Sequence, residues 1–301
     1  MSKNIVISAA ADGIGWCITK SLLDHGYTVY ASDINQDKID ELNQHPLINN
    51  RLFVDFVNAA DANSVKNYFE SFKLLSIDGL INNVGIAGPT GTMEDISVDD
   101  WNQTIETNLN SHFYFTKQAI PLLKNNEGGS IVNLSSTAGI FGFPLRTPYA
   151  ASKWAIIGVT KSLAMELGKF NIRVNAICPG SVSGDRINRV IEAKAKSLNI
   201  PVSEVRDDFE GMVSLKTFVD KEDIANMAVF LLSHILFEWL NRKVNWIYVY
   251  LIILVISLIL IPMFYDDQEY MRFKRFFIVI TFWWTWLHWT TTFKNSTNLS
   301  K

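Results

Sequence analysis

Cysteine is almost absent. Cys17 and Cys178 are the only two among 301 residues, and they stand far apart in apolar surroundings. They read as buried free thiols of a reducing compartment, not as a disulfide or a metal pair. No charge sign dominates: the formal net charge is -3 and the pI is about 6.0, so no basic field points to nucleic acid. The five histidines, His25, His45, His112, His234 and His288, fall at no metal-ligand spacing, and a metal site has no support. An apolar leader is missing too: Met1-Ser2-Lys3-Asn4 runs straight into Ile5-Val6-Ile7, which places the first domain in the cytosol. Glycine disappears after Gly211, and 22 residues between Lys243 and Asp266 carry no charge.

Over the first 232 residues or so, short β-branched runs alternate with amphipathic stretches. That alternation is the pattern of βαβ units, and it predicts a doubly wound α/β domain with a parallel sheet of about six strands. Strands are expected near Asn4–Ser8, Thr28–Asp33, Arg51–Asp55, Gly79–Asn82, Ser130–Leu134 and Arg173–Cys178. A helix follows Gly15, with Ile18, Leu22 and Leu23 on one face and Gly26 as its stop. Ser97-Val98-Asp99-Asp100 resembles a capping box, another helix runs from about Tyr149 to Leu167, and Asp220-Lys221-Glu222-Asp223 caps one through Leu232. Residues 183–216 read as two short helices in an excursion over the substrate side, a lid whose charges (Asp185, Arg186, Arg189, Glu192, Lys194) form a solvated helix face. Arg146, near Tyr149, reads as a surface residue, with contact to an anionic substrate as the alternative.

Chemistry is concentrated at the strand ends. Ser8-Ala9-Ala10-Ala11-Asp12-Gly13-Ile14-Gly15 joins the first strand to its helix. Glycines there let a backbone approach a pyrophosphate, and the helix N-terminus offers unpaired N–H groups. Ala9, Asp12, Gly13, Ile14 and Gly15 are therefore candidate cofactor contacts. The second strand ends in Asp33, placed to bind the adenosine ribose hydroxyls and to repel a 2′-phosphate. No Arg or Lys lies in the loop or within three residues after Asp33, which favours NAD over NADP. Tyr149-Ala150-Ala151-Ser152-Lys153 sets a phenol and an ammonium at i and i+4, on one helix face. Tyrosine ordinarily ionises near pH 10, and a neighbouring ammonium favours the phenolate.

The loop is similar to the TGxxxGxG fingerprint of short-chain dehydrogenases/reductases, with Ser8 for Thr and Ala9 for the first Gly. Asn82-Asn83-Val84-Gly85 resembles that family's NNAG signature. Asn108, Ser136, Tyr149 and Lys153 resemble its Asn–Ser–Tyr–Lys tetrad in order and spacing. The resemblance implies that Tyr149 is the general acid/base, and that Lys153 binds the nicotinamide ribose and tunes Tyr149. It implies that Ser136 bonds the reacting oxygen, and that Asn108 holds a kinked helix turn and a proton-relay water. It further implies that Asp55 and Phe56 bracket the adenine, that Asn82 and Gly85 line the cofactor, and that Pro179-Gly180-Ser181-Val182 turns beside the nicotinamide amide. Ala9 departs from the pattern, and its Cβ implies weaker cofactor binding. The expected activity is hydride transfer between NAD(H) and a secondary alcohol or ketone of sugar, polyol or hydroxyacyl type.

The resemblance covers residues 3–233 and stops. Six of the nine tryptophans lie in the last 64 residues, where the family's last strand is replaced by a hydrophobic tail. With the domain taken as 1–237 and the tail as 238–301, the uncharged run 246–264 would be about 28 Å long as a helix, matching a bilayer core of about 30 Å. The run 276–293, with four tryptophans, would be a returning or interfacial helix. A membrane anchor and an altered reading frame both account for such a tail. Loss of the last strand leaves the sixth as an edge and leaves homo-oligomerisation open. The rival to an enzyme is a membrane-tethered binding protein that keeps the fold without turnover.

Overall fold

The computed structural model describes residues 3–44, 50–71 and 76–233. They belong to one compact unit, Met1–His234. The runs 246–264 and 276–293 lie outside the described residues. Among the described residues no helix is long and apolar enough to cross a membrane.

Six strands, β1 (Asn4–Ser8), β2 (Thr28–Asp33), β3 (Leu52–Phe56), β4 (Gly79–Asn82), β5 (Gly129–Leu134) and β6 (Ile172–Ile177), are all paired in parallel in the order β3-β2-β1-β4-β5-β6. Parallel strands require crossovers, and the helices supply them on both faces. They are α1 (Gly13–Asp24), α2 (Gln36–Asn43), α3 (Ala62–Ser71), α4 (Val98–Ile105), α5 (Ser111–Asn125), α6 (Thr147–Leu167), α7 (Asp185–Leu198), α8 (Val202–Gly211) and α9 (Lys221–Leu232). Strand order reverses between β1 and β4, which opens a crevice at the carboxyl ends of those strands.

Alternation along each strand divides the core in two. Ile5 and Ile7 point one way, with Ile18, Leu22, Val29, Ile81, Val132, Ala228 and Leu232, under α1 and α9. Val6 points the other way, with Leu80, Phe115, Leu123, Ile131 and Ile172, under α3 and α5. Each fully buried Ile or Leu contributes about 1.5–3 kcal/mol of transfer free energy, so these layers dominate the stability of the sheet. Helix starts follow their caps. Asp12 caps α1, Ser97 accepts the Asp100 N–H at 3.0 Å, and Asp220 and Asp223 form a reciprocal capping box on α9. Helices α7 and α8 carry a small core of their own, Ile191, Ala195, Val205 and Phe209, against which Phe143 packs.

Three strands differ from expectation by a residue at one or both ends. Strand β3 runs through Phe56, β5 begins at Gly129, and β6 covers Ile172–Ile177. The cysteines are free as expected, but each is half-buried and not fully enclosed; Cys17 Sγ lies 3.6 Å from Glu222 Oε1. Among the described residues β6 has one strand neighbour, β5.

The tightest local constraint is at the β1–α1 turn. A Cβ on Gly15 would lie 1.9 Å from the Ala9 carbonyl oxygen, so α1 can close on the loop only with glycine there. Ala9 itself sits at φ 52°, in the left-handed region that an L-residue occupies at a cost of about 1–2 kcal/mol. Ala9→Gly is expected to raise unfolding stability by about 1 kcal/mol, measured as a shift in urea midpoint at unchanged slope. An unchanged or lower midpoint would contradict strain at Ala9.

Candidate active site

The elements that end at the crevice deliver their side chains to one rim. Just beyond β1, the Ala10 N–H bonds Ser32 O at 3.0 Å, and the Asn83 amide bonds Ala9 O at 2.8 Å. The Asn83 N–H also donates to Ser8 Oγ at 3.1 Å. The loop is thus held from both neighbouring strands. At the end of β2, Asp33 accepts three backbone N–H groups: Ala11 at 2.9 Å, Ile34 at 2.8 Å and Asn35 at 3.0 Å. Its carboxylate is fixed where the glycine loop meets β2.

Asn108 lies in a π-helical turn, Glu106–Asn110, inserted between α4 and α5. This is the kinked turn that the tetrad implies, and such turns recur at functional sites. Asn108 is fully buried; its Oδ1 accepts the Ile86 N–H at 2.7 Å, and its Nδ2 donates to Ile86 O and to Ser152 Oγ, both at 3.1 Å. The widened turn is therefore stitched to the segment after β4 and to α6. Ser136 caps a 3-10 turn, Thr137–Gly139, directly after β5. Ser135 is structural, as its Oγ donates to Lys153 O at 2.9 Å.

Pro148 at the start of α6 presets the first turn, and the i, i+4 spacing brings Tyr149 and Lys153 to one side. Lys153 is 3% exposed. Its Nζ donates to Leu134 O at 2.8 Å and lies 5.8 Å from the Tyr149 ring centroid. A Cβ on Gly85 would lie 3.3 Å from that Nζ and 3.4 Å from Asn108 Oδ1, so glycine keeps the space between them clear. Burial, with a smaller contribution from the Arg186 charge, lowers the Lys153 pKa from 10.5 to about 7. His112, beneath the site, is held neutral by burial and by Lys153, its pKa lowered to about 3; its Nε2 lies 3.2 Å from Val84 O.

Pro179 O accepts the Thr137 N–H at 2.9 Å, and Val182 bridges to Val219 ahead of α9. Pro179, Gly180 and Val182 thus form a fixed turn beside the 3-10 segment.

Three sequence-based assignments need correction. Asn82 does not reach the rim: it is fully buried and ties strands and helices together through Thr116 Oγ1 (3.0 Å) and Asn133 Oδ1 (2.8 Å). Asn83 takes the loop-holding position. Asp55 and Phe56 stand exposed at the end of β3, paired with Ser32 and Asp33 of β2. The chain leaves β3 at Asn58, whose Oδ1 accepts the Ala60 N–H at 3.1 Å and whose N–H donates to Ser64 Oγ at 3.1 Å. The turn formers Asn58 and Asp61 were the available signal for that exit. Arg146 is not a surface residue. It is 4% exposed, donates to Ala87 O, and lies with its guanidinium carbon 5.4 Å from the Tyr149 ring centroid. Arg186 and Arg189 do more than form a solvated face: they line a cavity of about 460 Å³ with Gly85, Gly88, Arg146 and Val190.

Known proteins resemble this chain in sequence and in fold. A family model described as short chain dehydrogenase matches residues 3–195. A 3-oxoacyl-(acyl-carrier-protein) reductase of Thermotoga maritima is 33% identical over 234 residues, 77% of this chain and 90% of that protein. The trans-4-hydroxycyclohexanecarboxylate dehydrogenase of Sinomonas cyclohexanicum is 41% identical over 192 residues, 60% of this chain and 72% of its own. Among solved structures, an NAD+-bound xylitol dehydrogenase aligns with a TM-score of 0.71 at 26% identity, over 77% of this chain and 92% of its own. A variant actinorhodin polyketide ketoreductase with NADPH aligns with the same score and identity over 77% of this chain and 90% of its own. With the family model covering more than half of its length, this chain belongs to the short-chain dehydrogenase/reductase family, oxidoreductases that use a nicotinamide cofactor on alcohols and ketones.

Proposed function

We propose that the chain is an NAD-dependent dehydrogenase/reductase of a secondary alcohol or ketone, with Asn108, Ser136, Tyr149 and Lys153 as its working residues. The observation that carries this reading is the convergence at Lys153. One buried ammonium is shared between the end of β5, the gap at Gly85 beside Asn108, and the ring of Tyr149.

The residues present fit a dinucleotide. Gly15 lets the loop backbone lie against α1, and the first N–H groups of that helix have no intrahelical acceptor, which suits a pyrophosphate. When bound, the nicotinamide cofactor supplies the hydride acceptor for alcohol oxidation or the donor for ketone reduction. In oxidation, Tyr149 takes the alcohol proton at its phenolic oxygen as the carbinol C–H bond breaks; in reduction it returns that proton to the carbonyl oxygen. Ser136 Oγ holds the same substrate oxygen by a hydrogen bond. Lys153, adjustable because burial brings its proton equilibrium near neutrality, orients the ribose and replenishes the Tyr149 proton. Asn108 positions the turn that keeps Gly85 open. The helices α7 and α8 form the substrate lid.

Asp33 favours NAD. A carboxylate held by three backbone N–H groups cannot swing away from a 2′-phosphate, and Lys38 on α2 is paired with Glu41 at 2.7 Å. The compounds for which these relatives are named, a 3-oxoacyl group on acyl-carrier protein and trans-4-hydroxycyclohexanecarboxylate, both carry the oxygen function this chemistry needs. The approach of Asn108, Lys153 and Tyr149 around Gly85 weighs against the binding-protein alternative.

Tyr149→Phe is expected to lower kcat at least about 100-fold while NADH binding, followed by cofactor fluorescence, stays within about threefold. Retention of more than about a tenth of kcat would remove Tyr149 from proton transfer. Asp33→Asn combined with Ile34→Arg, at a position 59% exposed, should shift the ratio of kcat/KM values toward NADPH. An unchanged ratio, or an NADP preference in the parent chain, would overturn the cofactor assignment.

A further inference from the structure

We infer that the substrate carries an anionic group, a carboxylate or phosphate, which Arg186 and Arg189 bind from α7 at the mouth of the cavity beside Tyr149. The inference deepens the proposed function and rests on that reading for the position of the reacting oxygen.

The cavity, about 460 Å³, is lined by the Gly85–Gly88 segment, Thr90, Arg146, Arg186, Arg189, Val190 and Ala193. That volume suits a small organic molecule. Three guanidiniums and no carboxylate line it. Among the described residues the side-chain ion pairs are Lys38–Glu41, Lys66–Glu70 and Arg206–Glu210, so none of the three arginines is neutralised. Exposed Arg186 and Arg189 stand one helical turn apart (i, i+3) and can close on one anion from the same helix side. Arg146 forms the inner wall. It is 4% exposed, stacks beside Tyr149, and leaves its Nε buried without a hydrogen-bond partner.

The adjoining site is positive as well. Arg186 acts on both Lys153 and Arg146, disfavouring their protonated forms on top of the larger effect of burial. A bound anion would relieve this repulsion among like charges, which water alone does not match inside a cleft. The cofactor's own pyrophosphate is the other possible source of negative charge, but no residue of the Ala9–Gly15 loop lines this cavity. The cleft therefore faces the substrate. Ala193 and Val190 give its floor an apolar strip, which suits a carbon skeleton between the anion and the reacting alcohol.

The test uses the full chain, with and without NADH, and non-reacting probes of equal shape: benzoate against benzamide, with inorganic phosphate as a third. Calorimetric titration should show benzoate binding at least about tenfold more tightly than benzamide. Arg189→Gln and Arg186→Gln should each weaken benzoate by about tenfold, the double variant should bind both probes alike, and NADH affinity should change by less than about threefold. Arg189→Lys should keep part of the preference, and thermal melting checks that each variant folds. Equal affinity for benzoate and benzamide would overturn the inference. So would benzoate binding untouched by the double variant, or a loss of NADH affinity in its place, which would assign the pair to the cofactor. Arginine-dependent benzoate binding in a chain that turns over no alcohol would sink the proposed function and leave the anion site standing. Turnover without discrimination between hydroxy acids and their amides would do the reverse.

Discussion

A lysine ammonium placed out of water is the constraint on which the rest of the site depends. Lys153 is nearly inaccessible, and an isolated charge there would be expensive. The fold answers with a short contact to Leu134 O and with a lowered pKa that lets the group shed its charge near pH 7. Both require α6 to dock against the end of β5. Ser135 enforces that docking from the other side by bonding the Lys153 carbonyl. The proton balance follows: the folded chain releases this proton near pH 7, whereas the unfolded chain keeps it to 10.5. This group therefore adds stability as pH rises between those values and withdraws it as pH falls toward 7.

Around that lysine, irregular backbone does the positioning. The π turn at Glu106–Asn110 rotates Asn108 inward, where it bonds Ile86 in both directions and reaches Ser152 on α6. Across the rim, the strained Ala9 and the close-packed Gly15 hold the cofactor loop, with Asn83 as the strut from β4. The two sides meet at the segment after β4, since Asn83 serves the loop and Gly85 serves the tetrad. A change in that four-residue stretch would disturb both at once.

Much of this was legible beforehand because it depends on period and punctuation. The β-branched runs marked all six strands, and the i, i+4 pair placed Tyr149 and Lys153 on one face. Ser97 and Asp220 announced their helices as caps, whereas α1 begins at Gly13, capped by Asp12, ahead of the expected start after Gly15. What escaped depended on depth and tertiary partners. Asn82 and Asn83 are adjacent amides, and only strand pairing shows that the first is buried among Thr116 and Asn133 while the second reaches Ala9. Arg146 reads as surface because arginine usually is; it is covered because Phe143 and Tyr149 stack around it.

The central claim is that Lys153 is a buried, partly neutral ammonium set against Tyr149. The most direct measurement is the pH titration of the Lys153 side chain by NMR, with its Cε and Nζ resonances assigned through Lys153→Met. The account predicts a midpoint near 7 in the cofactor-free chain, moving upward with NADH, whose ribose hydroxyls would accept hydrogen bonds from the ammonium. A midpoint at the ordinary lysine value near 10.4, unmoved by cofactor, would contradict it.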